Sequence, residues 1–200
     1  LDESTTGNNN TALGPYSLGE NTTADNNTAV GYVALEKNTT GANNVALGSL
    51  ALDANTTASN NTSVGTSSLG ANTTGADNVA LGASALAANT TASSNTGLGR
   101  FALAANTTGA NNTAVGAQSL DANTTGAQNT AVGKNALGTQ ATANYNVGIG
   151  HDAGNALHNG SYNTAVGRIA MHVATTATEN TVVGAGALQA LTTGTNNSCV

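Results

Sequence analysis

Along this chain the aliphatic and polar positions keep one period. Glycine recurs at Gly14, Gly31, Gly48, Gly65, Gly82, Gly99, Gly116, Gly133, Gly150, Gly167 and Gly184, always 17 residues apart. With each repeat glycine as position 1, the unit reads G-x-x-(A/S)-L-x-x-N-T-T-(G/A)-x-x-N-T-A-V. A spacing that never slips predicts stacked coils, because one inserted residue would turn every later side chain to the wrong face. The fold class expected is all-β: a parallel β-solenoid of about twelve coils over residues 1–200, one repeat domain, with coils 150–200 more irregular.

Strand-like alternation falls at positions 15 to 17. Position 17 is aliphatic throughout (Leu13, Val30, Leu47, Val64, Leu81, Leu98, Val115, Val132, Ile149, Val166, Val183, Val200), and position 15 is Thr, Val or Ser. Alternation predicts both inside and the small position 16, such as Ala29, Ala114 or Gly148, outside. An outward face of Ala and Gly would then suit close approach by another copy, packed through position 16 or position 4.

A second short strand is expected after the glycine, with Leu86, Leu103 and Leu120 of position 5 stacked inside. Two coils break that column, one with Met171 as a filler and one with Gly154, whose missing side chain Leu157 is expected to replace.

Position 14 is Asn in every copy: Asn10, Asn27, Asn44, Asn61, Asn78, Asn95, Asn112, Asn129, Asn146, Asn163, Asn180 and Asn197. Stacked in register, these amides would form a ladder, each donating to one neighbour and accepting from the other. The N-T-T segment is expected to turn. Gly and Ala alternate at position 11 from Ala24 to Gly109, which hints at duplication of a 34-residue unit.

Composition changes the picture in one respect. With 38% hydrophobic residues, 2% aromatics and 7% charged residues, no conventional globular core is available. Each coil buries a few aliphatic side chains, so a lone coil cannot repay the entropy of ordering it; stacking and association must supply stability. The net charge of −6 with four Lys and Arg excludes a phosphate-binding footprint and argues against nucleic acid as a partner. No apolar run is long enough to cross a bilayer as a helix, so no membrane insertion by this segment is expected.

The strand-turn unit N-T-A-V-G-x-x-A-L resembles the S-V-A-I-G-x-x-A unit of trimeric autotransporter adhesin heads across the whole chain. It is three residues longer than the repeat usual there. It is also similar to the repeat shafts of phage-type tail fibres and of surface proteins that end in a self-cleaving endosialidase-type chaperone. The resemblance implies a left-handed β-roll, a parallel homotrimer and a non-enzymatic structural or adhesive role outside the cell or on a virion. The partners it implies are the chain itself and a host-cell surface or its glycans.

Candidate chemistry is sparse. His151, His158 and His172 occupy different coil positions without a ligand spacing, so no metal is expected. The glycines lack the strand-loop-helix context of a phosphate cradle, no cofactor is implied, and no catalytic set is seen. Cys199 takes the small-residue slot at position 16. Tyr145 and Tyr162 share position 13 and should stack; a sugar platform is the alternative.

Seven N-T-T triplets, at Asn21, Asn38, Asn55, Asn72, Asn89, Asn106 and Asn123, satisfy the N-glycosylation acceptor pattern, though a structural repeat explains them equally. Thr107 and Thr108 exemplify threonine rows of the kind ice-binding solenoids use. Three readings therefore stand: a fibre segment, a glycosylated self-assembling fibril, and an ice-binding solenoid. Because Leu1 falls at position 5 and Val200 at position 17, uncapped ends and end-to-end stacking are a further expectation.

Overall fold

The computed structural model describes residues 5–200, so Leu1 and its phase lie outside the described residues. Twelve short strands, β1 (Thr11–Leu13), β2 (Thr28–Val30), β3 (Val45–Leu47), β4 (Thr62–Val64), β5 (Val79–Leu81), β6 (Thr96–Leu98), β7 (Thr113–Val115), β8 (Thr130–Val132), β9 (Val147–Ile149), β10 (Thr164–Val166), β11 (Thr181–Val183) and β12 (Ser198–Cys199), form one parallel sheet in sequence order. Every pairing joins residue i to i+17, as in Thr113↔Thr130, Ala114↔Ala131 and Val115↔Val132. The fold is a parallel β-solenoid, and at about 4.8 Å per coil the sheet runs about 55 Å.

The register holds through the coil of Gly154, where irregularity was expected: Val147↔Thr164 and Ile149↔Val166 pair normally. What changes from residue 140 onward is the interior. Position 8, Asn in the seven coils from Asn21 to Asn123, becomes Gln140, Leu157, Ala174 and Leu191.

The inward and outward assignments of the strand are the reverse of those expected. Ala29, Ala46, Ala80, Ala114 and Ala131 of position 16 are 0% exposed, whereas Leu81 of position 17 is 50% exposed and Ile149 40%. The reason is space. Leucine of position 5 crosses the interior to the strand, so that a Cβ at Gly97 would lie 3.4 Å from Leu86 Cδ1. Only a small side chain fits opposite it, and the larger aliphatics are pushed outside. Where position 16 is Ser63, its hydroxyl is buried and donates to Ser68 O at 2.7 Å.

Among the described residues no second strand follows the glycine. Positions 2 to 7 form a continuous turn in which positions 3 and 5 adopt left-handed backbone, as at Gln118 (φ 57) and Leu120 (φ 49). That conformation costs a non-glycine residue about 1–2 kcal/mol, so burial of the leucine must offset it in each coil. The turn also explains why adjacent positions 4 and 5 both point inward: Ala102 and Leu103 are each 0% exposed. Inter-coil bonding continues through it, with Leu103 N donating to Ser119 O at 3.0 Å and Gln118 N to Arg100 O at 3.0 Å.

Gly154 is accommodated by a neighbour other than the one expected. A Cβ there would meet Leu137 Cδ2 at 2.7 Å, so the leucine of the preceding coil leans into the gap. Gly148, opposite Leu137 in its own coil, makes room for the same side chain, since a Cβ there would lie 2.8 Å from Leu137 Cγ. Leu157 is fully buried as well, at position 8.

A large part of the interior is polar, most of it asparagine. In the position 14 column the wiring goes through the backbone: Asn112 Oδ1 accepts from Asn129 N at 3.0 Å, and Asn112 Nδ2 donates to Gly126 O at 2.8 Å. Asparagine supplies one acceptor and one donor at that reach; aspartate would lack the donor. Direct amide-to-amide bonds join this column at some coils, for example Asn129 Nδ2 to Asn112 Oδ1 at 3.1 Å.

The uninterrupted amide ladder lies instead at position 8. Asn123 Nδ2 donates to Asn106 Oδ1 at 2.8 Å, Asn106 to Asn89 at 2.9 Å, and Asn89 to Asn72 at 2.9 Å. Each of these amides also donates to the position 11 carbonyl of its own coil, so Gly126 O serves both Asn112 and Asn123.

The ladder ends at a mismatch. Gln140, one methylene longer, donates to Ala143 O at 3.0 Å and accepts from Asn146 Nδ2 at 2.9 Å, leaving buried Asn123 Oδ1 without a donor. Gln140→Asn should restore that rung. We expect it to raise stability by about 1 kcal/mol in chemical denaturation, the scale of satisfying a buried acceptor; an unchanged or lower midpoint would count against the ladder as described.

Candidate assembly surface

Because the small residues occupy the interior, the side chains left outside on β1–β11 make a two-rank face. One rank is position 15, with Thr96, Thr113 and Thr130 at its centre, each half-buried. The other is position 17, where Leu47, Leu81, Val132 and Ile149 are exposed and Val64, Leu98 and Val115 half-buried. No charged residue interrupts either rank. Parallel pairing keeps each column in register, so aliphatic side chains of position 17 repeat along the sheet, while the hydroxyls of position 15 are interrupted by Val45, Val79 and Val147. The interior position 4 and position 16 side chains, the expected contact residues for another copy, take no part in any outer face.

The ten position 14 asparagines from Asn27 to Asn180 are buried in the interior, whereas Asn10 at one end is half-buried and Asn197 at the other is exposed. The seven N-T-T asparagines are likewise inside: Asn21, Asn38, Asn55, Asn72, Asn89, Asn106 and Asn123 are each 0% exposed. Their Nδ2 atoms are the ones a glycan would occupy, and each already donates within the coil, as Asn106 does to Gly109 O at 2.9 Å. A sugar on that nitrogen has no space in the closed coil. Sequence pattern alone does not distinguish an acceptor triplet from a buried ladder.

The threonine rows differ from one another. Thr107 of position 9 donates through Oγ1 to Thr124 O at 2.9 Å, reinforcing the stack, while Thr108 of position 10 is exposed. Tyr145 and Tyr162 stack with centroids 4.8 Å apart and planes 9° apart. Their facing surfaces cover each other, as expected of ladder packing, and both side chains remain exposed on the flank.

The histidines do not converge. His151 Nδ1 lies 2.8 Å from Asp152 Oδ2, whereas His172 Nδ1 lies 3.3 Å from Asp152 O and His158 Nδ1 3.3 Å from Thr139 O. Among the described residues no group of three or more His, Cys, Asp or Glu is placed to hold a metal ion, and no surface pocket is formed. Cys199 is a half-buried free thiol in β12.

Two carboxyls are shifted. Burial raises those of Asp53 and Asp121 above the ordinary aspartate value, against hydrogen bonds from the backbone. Both sit at position 6 and are followed one coil later by a glycine; a Cβ at Gly70 would lie 3.3 Å from Asp53 Oδ1, and one at Gly138 3.4 Å from Asp121 Oδ1. These carboxyls lean over the next coil and pack there; Glu36, at the same position one coil before Asp53, adds a smaller upward push to Asp53 that Lys37 opposes.

No family model, curated protein or solved structure matches the chain.

Proposed function

We propose that this chain is a non-enzymatic structural and adhesive repeat segment of an extracellular or virion-associated fibre, in which copies pack in parallel through the T-x-(V/L/I) face. The observation that carries the reading is the unbroken outward aliphatic rank over the whole sheet. Two outward side chains per strand over about 55 Å make a patch of roughly 500 Å², at the upper end of what monomeric proteins leave open. A long parallel stack with an apolar face is stabilised when a partner covers that face. Three chains about an axis is the arrangement that the resemblance to adhesin heads favours, and it would use positions 15 and 17 in place of position 16.

Solution mass tests this. The expected result is a trimer for the wild-type chain and a folded monomer for Val115→Arg, since an arginine at an outward position can be solvated in the monomer but not in a dry interface. A wild-type monomer at micromolar concentration overturns the assembly.

A second reading rests on the same face. Threonine hydroxyls at position 15, uninterrupted over Thr96, Thr113 and Thr130, beside aliphatic methyls of position 17 at a fixed spacing, also suit an ordered water lattice. An ice-binding solenoid would be monomeric and would show thermal hysteresis, lost in Thr113→Arg; a trimer without hysteresis excludes it.

A further inference from the structure

The column of position 2 carries a second surface that the outward sheet does not use. Arg100, Lys134 and Arg168 all fall at this position, 34 residues apart, which places a cation on every second coil. The intervening members are Ala117, which is small, and His151. All four basic side chains are exposed. Their backbones are tied in register: Gln118 N donates to Arg100 O at 3.0 Å, Asn135 N to Ala117 O at 3.1 Å, Asp152 N to Lys134 O at 3.0 Å, Ile169 N to His151 O at 2.9 Å and Gly186 N to Arg168 O at 2.9 Å. The backbone positions that carry the cations therefore lie in one column with a step of about 10 Å, two coil spacings.

Nearby acid is occupied or absent. Position 2 has no acidic residue in any coil. Asp152, the carboxylate next to the row, lies against His151 through one oxygen and accepts from Asn135 Nδ2 at 2.9 Å through the other. Arg100 rests over the Phe101 ring, 4.3 Å from its centroid, which orients it without neutralising it. Along the rod the balance is uneven: residues 1–99 hold seven acidic and one basic residue, whereas residues 100–200 hold three of each.

We infer that the row Arg100, Lys134 and Arg168 is a docking track for an extended acidic polysaccharide bearing one carboxylate per disaccharide. The step of the row is close to the rise of one disaccharide in such a polymer, so successive carboxylates meet successive cations. Near physiological salt the step is about one screening length, so the cations repel one another little. A single rigid polymer nevertheless engages all three, and each contact raises the effective concentration for the next. The acidic N-terminal coils repel the same polymer and confine it to the C-terminal half.

This inference deepens the adhesive part of the proposed function and rests on it. The test is binding of the full chain to hyaluronan at low salt, with neutral dextran as a competitor. Lys134→Glu removes the middle cation, and Lys37→Glu makes the same change of charge outside the row. The expected result is retention of the wild type, a loss of about tenfold or more in Lys134→Glu, and a change within about twofold in Lys37→Glu. Arg100→Glu should resemble Lys134→Glu. No binding by the wild type, equal losses in the Lys134 and Lys37 variants, or displacement by dextran would each overturn the track. Solution mass is read on the same samples, so a chain that assembles and fails to bind hyaluronan refutes the track and leaves the fibre reading standing.

Discussion

Leu103→Asp should open the middle of the rod. Leu103 is fully buried in a column that runs from Leu86 to Leu120, and its turn accepts left-handed backbone (φ 53) because the side chain is covered. Truncation to alanine at such a site costs about 2–5 kcal/mol, and a carboxylate adds the penalty of an unpaired buried charge. A solenoid coil contacts only its neighbours, so the damage stays local. Hydrogen exchange should show amides of residues 82–132 losing protection while those around Thr28 and Thr164 keep theirs. Uniform loss along the chain would mean that the coils fold as one unit, and no loss would mean that Leu103 does not face inward.

Gly116→Ala should be of similar severity for a different reason. The backbone there has φ +133, and an added Cβ would lie 2.6 Å from both C and O of Gly133, which are main-chain atoms that cannot rotate away. The stack must part locally, at a cost of about 4 kcal/mol or more. Gly186 provides the comparison, because a Cβ there meets nothing within 4 Å and only the left-handed conformation, φ +70, is strained. Gly186→Ala should cost about 1–2 kcal/mol. Thermal or chemical denaturation of the two variants reads the difference, and equal costs would show that close approach of coils is not what repeat glycines permit.

The two substitutions fall on features that the sequence pattern itself specifies. Glycine at every seventeenth position and Leu103 with its equivalents were enough to establish the period, the parallel stacking and the column of leucines. A period is a property of the sequence, and only stacking in register keeps like residues together. Position 14 was likewise legible as a ladder, since an invariant amide in a stacked array has few other uses; that its bonds run through backbone N–H and C=O groups was not.

The outer face was decided by the tertiary structure. Hydropathy places Val115 inside and Ala114 outside, yet the coil is too narrow to hold both Leu120-type side chains from the turn and valines from the strand. The smaller residue goes in, and the aliphatic rank becomes surface. The same crowding draws Leu137 across to fill the spaces above Gly148 and Gly154, which no local pattern encodes.

Asn106 illustrates the second limit. N-T-T reads as a turn or a glycan acceptor, and whether its amide faces water or the next coil depends on which way the turn closes. Leucine at φ near +50 closes it inward, against its own backbone preference. Repeat spacing, glycine placement and the identity of the stacked columns were thus determined by the sequence itself. Which columns face inward depended on volumes and turn geometry that exist only once the coil has closed.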